Sequence, residues 1–127
     1  MASVVLDASA LLALLNDEPG GEAVEATIPG AAISTVNLSE VVAKLDEYGM
    51  PEEALRSALG SIELEIHPFD LSAAFEAGLL RMATRSLGLS FGDRACLALG
   101  QRLDLPVLTT DRNWTELDLG IEVRRIR

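Results

Sequence analysis

Three short β-branched and apolar runs, "SVVLD" at 3–7, "AAISTV" at 31–36 and "LPVLTTD" at 105–111, are set apart by long stretches of helical periodicity. No other feature limits the fold as much. Strands that run in one direction need crossovers of a dozen or more residues between them, and helices usually supply these. A sheet covered on both faces reads as short, nearly continuous apolar runs, as these do. The chain is therefore read as α/β, a parallel sheet wrapped by helices.

The remaining segments fit that frame. "ASALLALLN" follows the first strand as a helix, broken at Pro19-Gly20-Gly21, and "GEAVEAT" reads as a second short helix. "NLSEVVAKLDEYG" (37–49) carries Leu38, Val41, Val42 and Leu45 on one face and stops at Gly49. "PEEALRSAL" (51–59) opens with Pro in the first turn followed by two acids. "SIELEIHPF" (61–69) alternates at Ile62, Leu64 and Ile66, as a strand with one wet face does. "DLSAAFEAGLLRMATRSLG" (70–88) is a long helix whose Leu71, Phe75, Leu79 and Met82 form a stripe expected to face the core. "LSFGDRACLALG" (89–100) is apolar almost all round and is expected to be buried. "IEVRRI" (121–126) is a last strand, its arginines suited to an exposed sheet edge.

Length and composition narrow the class. The chain has 127 residues, enough for one domain with a core and too few for two, so residues 1–127 are expected to form a single domain. The apolar run Ala8–Leu15 is too short to span a membrane, and nothing basic precedes it. One cysteine, Cys96, permits no internal disulfide, and a cytoplasmic location is expected. A net charge of −10 argues against a basic-patch nucleic-acid binder. The excess of acid lies in residues 1–63, which hold eleven acids and two bases; residues 64–127 hold nine and eight.

Where the acids fall is more telling. Asp7 closes the first strand and Asp111 the fourth, which puts both at the carboxyl edge, where open α/β sheets bind ligands. Glu40 sits in the first turn of the helix after the second strand, and this helix starts at the same edge. Asp93 starts the helix of "LSFGD". "NLSE" and "SFGD" share one spacing: a cap-type residue, Asn37 or Ser90, three residues before an acid. Each acid alone is explained by capping or by a turn. Four together are a different matter. Two carboxylates about 5 Å apart repel by about 3 kcal/mol at an effective dielectric near 20. Such a cluster takes up protons or holds a cation. Oxygen donors without His or Cys suit Mg²⁺ or Mn²⁺. At Asp93 cap and ligand are compatible readings: Ser90 caps the backbone, and the Asp93 side chain, freed from the reciprocal bond, turns to the metal.

Other chemistries fit less well. A phospho-accepting receiver needs a late lysine, and the only lysine is Lys44. A haloacid-dehalogenase-type phosphatase needs an acid where Ser9 stands. "DASAL" is a partial match to the metal-adhesion motif of von Willebrand A-type modules, with Leu11 in place of a serine. His67 and Cys96 read as structural, and no glycine-rich phosphate loop is present.

Four stretches in order, "VVLDASALLALL", "NLSEVVAKL", "LSFGDRACLALG" and "VLTTDRNW", resemble the PIN-domain ribonucleases, most of all the VapC-type toxins of bacterial toxin–antitoxin pairs. The resemblance spans nearly the whole chain. It implies a three-layer fold, a parallel sheet of about five strands in order 3-2-1-4-5 with helices on both faces. It implies Mg²⁺- or Mn²⁺-dependent cleavage of RNA, with Asp7, Glu40, Asp93 and Asp111 as the acidic cluster and Asp7, Asp93 and Asp111 as metal ligands. Ser9 and Thr110 match the hydroxyl positions beside the first and last acids. Asn113 stands where many relatives have a further Asp, a poorer ligand. Arg94 and Arg112 each follow a site acid, and they either steady the RNA backbone or pair with neighbouring carboxylates. An antitoxin that inserts a basic tail, a homodimer and a higher toxin–antitoxin assembly follow from the resemblance as well, and the apolar second and third helices offer the dimer an interface. Two alternatives remain: a non-catalytic metal- or phosphate-binding module on the same edge, and a structure-specific DNA nuclease, which the short chain disfavours.

Overall fold

A computed structural model describes residues 1–111, 113–114 and 117–127. Five parallel strands, β1 (Val5–Leu6), β2 (Ala32–Ser34), β3 (Glu65–His67), β4 (Val107–Thr109) and β5 (Val123–Arg125), lie in the order β3-β2-β1-β4-β5. The order and direction are those expected. Among the described residues six α-helices surround the sheet: α1 (Ala8–Leu15), α2 (Gly21–Glu25), α3 (Thr35–Glu47), α4 (Glu52–Gly60), α5 (Leu71–Ala83) and α6 (Phe91–Leu103).

The strands are shorter than their apolar runs because helices begin almost at once. Asp7 is already the N-cap of α1, and Ser34 caps α3. Strand parity sorts the core into two layers. Val5, Ala32 and Val107 face α5 and α6, packing with Ala77, Leu80 and the run Cys96–Leu99. Leu6, Ile33 and Leu108 face the other way, against Leu11 of α1, Val24 of α2, Val41 and Leu45 of α3 and Leu55 of α4. By the same parity the residues just beyond Val5 and Val107, Asp7 and Thr109, emerge on the α6 side. The cluster of acids owes its place to this.

Two expectations about the elements fail. The third strand is only Glu65–His67, and Ile66 is 49% exposed at the edge of the sheet rather than turned inward with Ile62 and Leu64. The α5 stripe does not face the core either: Leu71, Phe75, Leu79 and Met82 are 66–76% exposed, and α5 buries only Ala77 and Leu80. Helical periodicity marks a face and is blind to what covers it. α6 is buried as expected, at Ala95, Cys96, Leu97, Ala98, Leu99 and Gly100. Among the described residues no helix is long and apolar enough to cross a membrane.

Candidate functional site

At the carboxyl edge of the sheet an open pocket of about 440 Å³ is lined by Asp7, Ser9, Asn37, Glu40, Lys44, Asp93, Thr110, Asp111 and Trp114, with Ala8 and Leu12. All four acids singled out from the sequence meet here, delivered by the ends of β1 and β4 and by the starts of α3 and α6.

Asp7 is the buried member, 6% exposed. Its Oδ1 accepts from the Ala10 N–H at 2.8 Å, which caps α1, and from the Ser9 hydroxyl at 2.7 Å. Its Oδ2 accepts from the Thr109 hydroxyl at 2.5 Å. The same two hydroxyls accept bonds in turn: Ser9 Oγ from the Thr110 N–H at 3.1 Å, Thr109 Oγ1 from the Asp111 N–H at 3.0 Å. One network thus joins the ends of β1 and β4. Burial pushes the Asp7 carboxyl above its ordinary range; the bonds from Thr109, Ser9 and Ala10 pull it down, and the Asp93 charge pushes it up again.

Thr109 is the residue that sequence reading passes over. "TTD" offers two hydroxyls, and Thr110 was the one matched to the site. Thr110 lines the pocket, but its link to the network is its backbone N–H. Parity holds the missing signal, since Thr109 lies on Val107's side and Asp7 on Val5's.

Asp93 departs from its expected geometry. Ser90 Oγ accepts from the Asp93 N–H at 3.1 Å, and Asp93 Oδ2 accepts from the Ser90 N–H at 3.0 Å, so the capping box is complete and the carboxylate is not freed. Asp93 nevertheless lines the pocket, and its Oδ1 accepts no hydrogen bond among the described residues.

Glu40 is reached differently from the expectation too. α3 starts at Thr35, so Asn37 is not a cap but the third helical residue, 1% exposed, and Glu40 falls in the second turn. The Glu40 carboxylate lies against Gly92 of α6, where an added Cβ would stand 2.3 Å from Oε2. Asp111 Oδ1 accepts from the Asn113 N–H at 2.8 Å, and Asn113 itself is exposed. Arg94 takes neither role expected of it. Its guanidinium donates to the Ala77 carbonyl at 3.0 Å and braces α6 against α5, with Nε buried and unpartnered among the described residues. Arg112 lies outside the described residues. Cys96 is core; burial pushes its thiol well up, with the charges of Asp7, Asp93 and Glu40 acting from above. His67 bonds Glu65 Oε1 at 2.7 Å on β3.

Among the described residues no three His, Cys, Asp or Glu side chains converge tightly enough to form a ready metal cage. The donor chemistry still fits a hard divalent cation. Carboxylate and hydroxyl oxygens line one pocket without His or Cys, and a carboxylate destabilised by burial and by a like charge gains from such an ion.

A fold of this order, with acids gathered at its carboxyl edge, defines a class. A PIN domain family model matches residues 4–119, and the chain belongs to the PIN domain family, the nuclease family its motifs resemble. The chain is similar in structure to a toxin–antitoxin complex from Klebsiella pneumoniae, at 26% identity and TM-score 0.78 over 98% of both chains. It is similar in fold to a DNA-bound VapBC from Salmonella typhimurium, at 22% identity and TM-score 0.77 over 100% of both chains. VapBC2 from Rickettsia felis, bound to a promoter DNA fragment, shares the fold at 18% identity and TM-score 0.71, over 96% of this chain and 97% of that one. A sequence search of curated proteins found no match.

Proposed function

We propose that this chain is a metal-dependent endoribonuclease and the toxin of a toxin–antitoxin pair, with residues 1–127 as one catalytic domain working in the cytoplasm. The observation that carries the reading is the meeting of Asp7, Glu40, Asp93 and Asp111, from four separate elements, around one pocket with Ser9 and Thr110. Family membership and the toxin–antitoxin complexes of similar structure support it.

In this reading Asp7, Asp93 and Asp111 hold Mg²⁺ or Mn²⁺. When bound, the cation supplies Lewis acidity toward a phosphate oxygen and a more acidic water. The protein's part is placement. Ser9, Thr109 and the Ala10 N–H hold both Asp7 oxygens at fixed positions. The Asp93 cap keeps one oxygen committed to the helix and leaves the other for the pocket. Glu40, at the rim, orients the attacking water. In the hydrolysis a P–O bond forms to that water, the P–O bond to the leaving ribose oxygen breaks, and the proton lost by the water is balanced by one gained by the leaving oxygen. Neutralising the acids is also what lets the pocket accept a polyanion.

The partners follow the same chemistry. An acidic, RNA-shaped cleft is blocked by an Arg- or Lys-bearing antitoxin tail. A second copy covers the exposed α5 stripe, which replaces α2 and α3 as the dimer face because the large exposed apolar side chains stand there. The test is cleavage of labelled RNA by purified protein with and without Mg²⁺ or Mn²⁺, beside Asp93→Asn. Metal-dependent cleavage that Asp93→Asn removes supports the proposal. Tight Mn²⁺ binding without turnover on any RNA makes the chain a binding module instead, and Asp93→Asn as active as the parent overturns the site.

A further inference from the structure

Asn37 is a polar side chain in the interior. It is 1% exposed, on the buried face of α3, where an apolar residue would pack at less cost. Both hydrogens of its Nδ2 are used. One goes to Glu40 Oε1 at 2.9 Å, a turn further along α3, and the other to the Gly92 carbonyl at 3.0 Å, 55 residues away in the first turn of α6. Both partners are acceptors, so the amide has one workable orientation; turned over, its oxygen would face two oxygens. Among the described residues the remaining Oδ1 is buried without a partner. Such a side chain costs stability unless its bonds serve something else.

What those bonds hold is plain from their ends. Glu40 rests against the Gly92 backbone in a space that any Cβ would fill. Gly92 precedes Asp93 in the same helical turn. One amide therefore fixes the carboxylate that α3 brings to the pocket and the helix turn that carries the acid of α6.

We propose that Asn37 is a positioning residue of the acid pocket: it sets the Glu40 carboxylate and locks the start of α6 against α3. The proposal rests on the functional reading above, because it supposes that the pocket takes a divalent cation and cuts RNA. Asn37 itself touches neither cation nor RNA; it acts through Glu40 and through the α6 turn that carries Asp93.

The test is a double-mutant cycle with two readouts, Mn²⁺ affinity measured by electron paramagnetic resonance without RNA, and kcat and KM on a labelled single-stranded RNA. Asn37→Leu keeps the branched outline, with more bulk, and loses the donors. Asn37→Asp keeps the shape and puts a carboxylate where the donors were. Each is made alone and with Glu40→Ala, and folding is followed by circular dichroism; Asn37→Ser, too short to reach Glu40, stands in if either fails to fold. In the parent background the variants should lower kcat roughly tenfold or more while KM for RNA stays within about twofold, and should weaken Mn²⁺ binding several-fold. In the Glu40→Ala background the same changes should add less than about twofold to the loss in kcat, as expected of residues that act as a unit, while the weakening of Mn²⁺ binding, which runs through the α6 turn, persists. If the kcat effects multiply undiminished in Glu40→Ala, or if the Asn37 variants melt lower but bind and cut as the parent does, Asn37 is a packing residue and the inference falls. If the parent neither binds Mn²⁺ nor cuts RNA, the functional reading fails first and takes the inference with it.

Discussion

Gly92→Ala separates the stability of this molecule from its proposed activity. An alanine Cβ there would lie 2.3 Å from Glu40 Oε2 and 2.6 Å from Oε1 and Cδ, contacts no real Cβ makes. Were Glu40 fixed, such overpacking would cost about 1–3 kcal/mol. But Glu40 is a flexible side chain open to solvent, so it swings outward. The swing breaks its bond from Asn37 and leaves a buried amide hydrogen unpaired, a cost of about 1–3 kcal/mol. Against that, alanine in a helix gains about 0.5–1 kcal/mol over glycine. The net loss is about 0–2.5 kcal/mol, which for a domain of this size lowers Tm by about 10 °C at most. Activity responds on another scale. A displaced Glu40 no longer orients the water, and kcat should fall by about 10²-fold, at the lower end of what a positioned general base contributes. The assay is RNA cleavage with Mg²⁺ at saturating substrate, beside thermal melts and beside Glu40→Ala, which sets the floor. Gly92→Ala cutting at the parental rate would refute the placement of Glu40 in the site, and a rate below that of Glu40→Ala would show damage beyond it.

Three further outcomes are expected. Burial raises the Asp7 carboxyl, so the folded state keeps this proton to higher pH than the unfolded one; stability of the metal-free protein falls as pH rises from the ordinary carboxylate range through the raised value. Asp7→Asn should therefore melt higher than the parent at neutral pH, with the gap closing in acid, and should cut no RNA; pH-dependent melts and the cleavage assay check both. Trp114, the only tryptophan, is fully buried and lines the acid pocket, so titrating Mn²⁺ should quench its fluorescence saturably in the parent and not in Asp7→Asn. Phe75→Glu, in the middle of the exposed α5 stripe, should leave the fold intact and halve the mass seen by analytical ultracentrifugation.

Fold class was readable because strand and helix periodicities alternate cleanly, and the resemblance supplied the strand order that periodicity cannot. Asp7, Asp93 and Asp111 were readable because each stands at an element end, two closing strands and one opening a helix; Glu40 was read at a helix start and lies in the second turn. What failed did so where a pattern has two physical meanings. The Leu71-Phe75-Leu79-Met82 stripe specifies an apolar face and not its cover. "NLSE" has the spacing of a capping box, but Ser34, the fourth residue of the apolar run, caps first, turning Asn37 inward. "SFGD" is a capping box in full, and its acid lines the pocket as well. Arg94 follows a site acid in sequence, yet one helical step of about 100° sends it to α5 rather than to the pocket.

The most direct measurement of the central claim is Mn²⁺ located by its anomalous scattering in crystals of the protein. A peak is expected in the pocket among Asp7, Asp93 and Asp111, absent from Asp93→Asn, in a protein whose RNA cleavage stops with chelator and returns with Mn²⁺. A protein that cuts RNA while its Mn²⁺ binds elsewhere, or binds nowhere at saturating concentration, would contradict that claim.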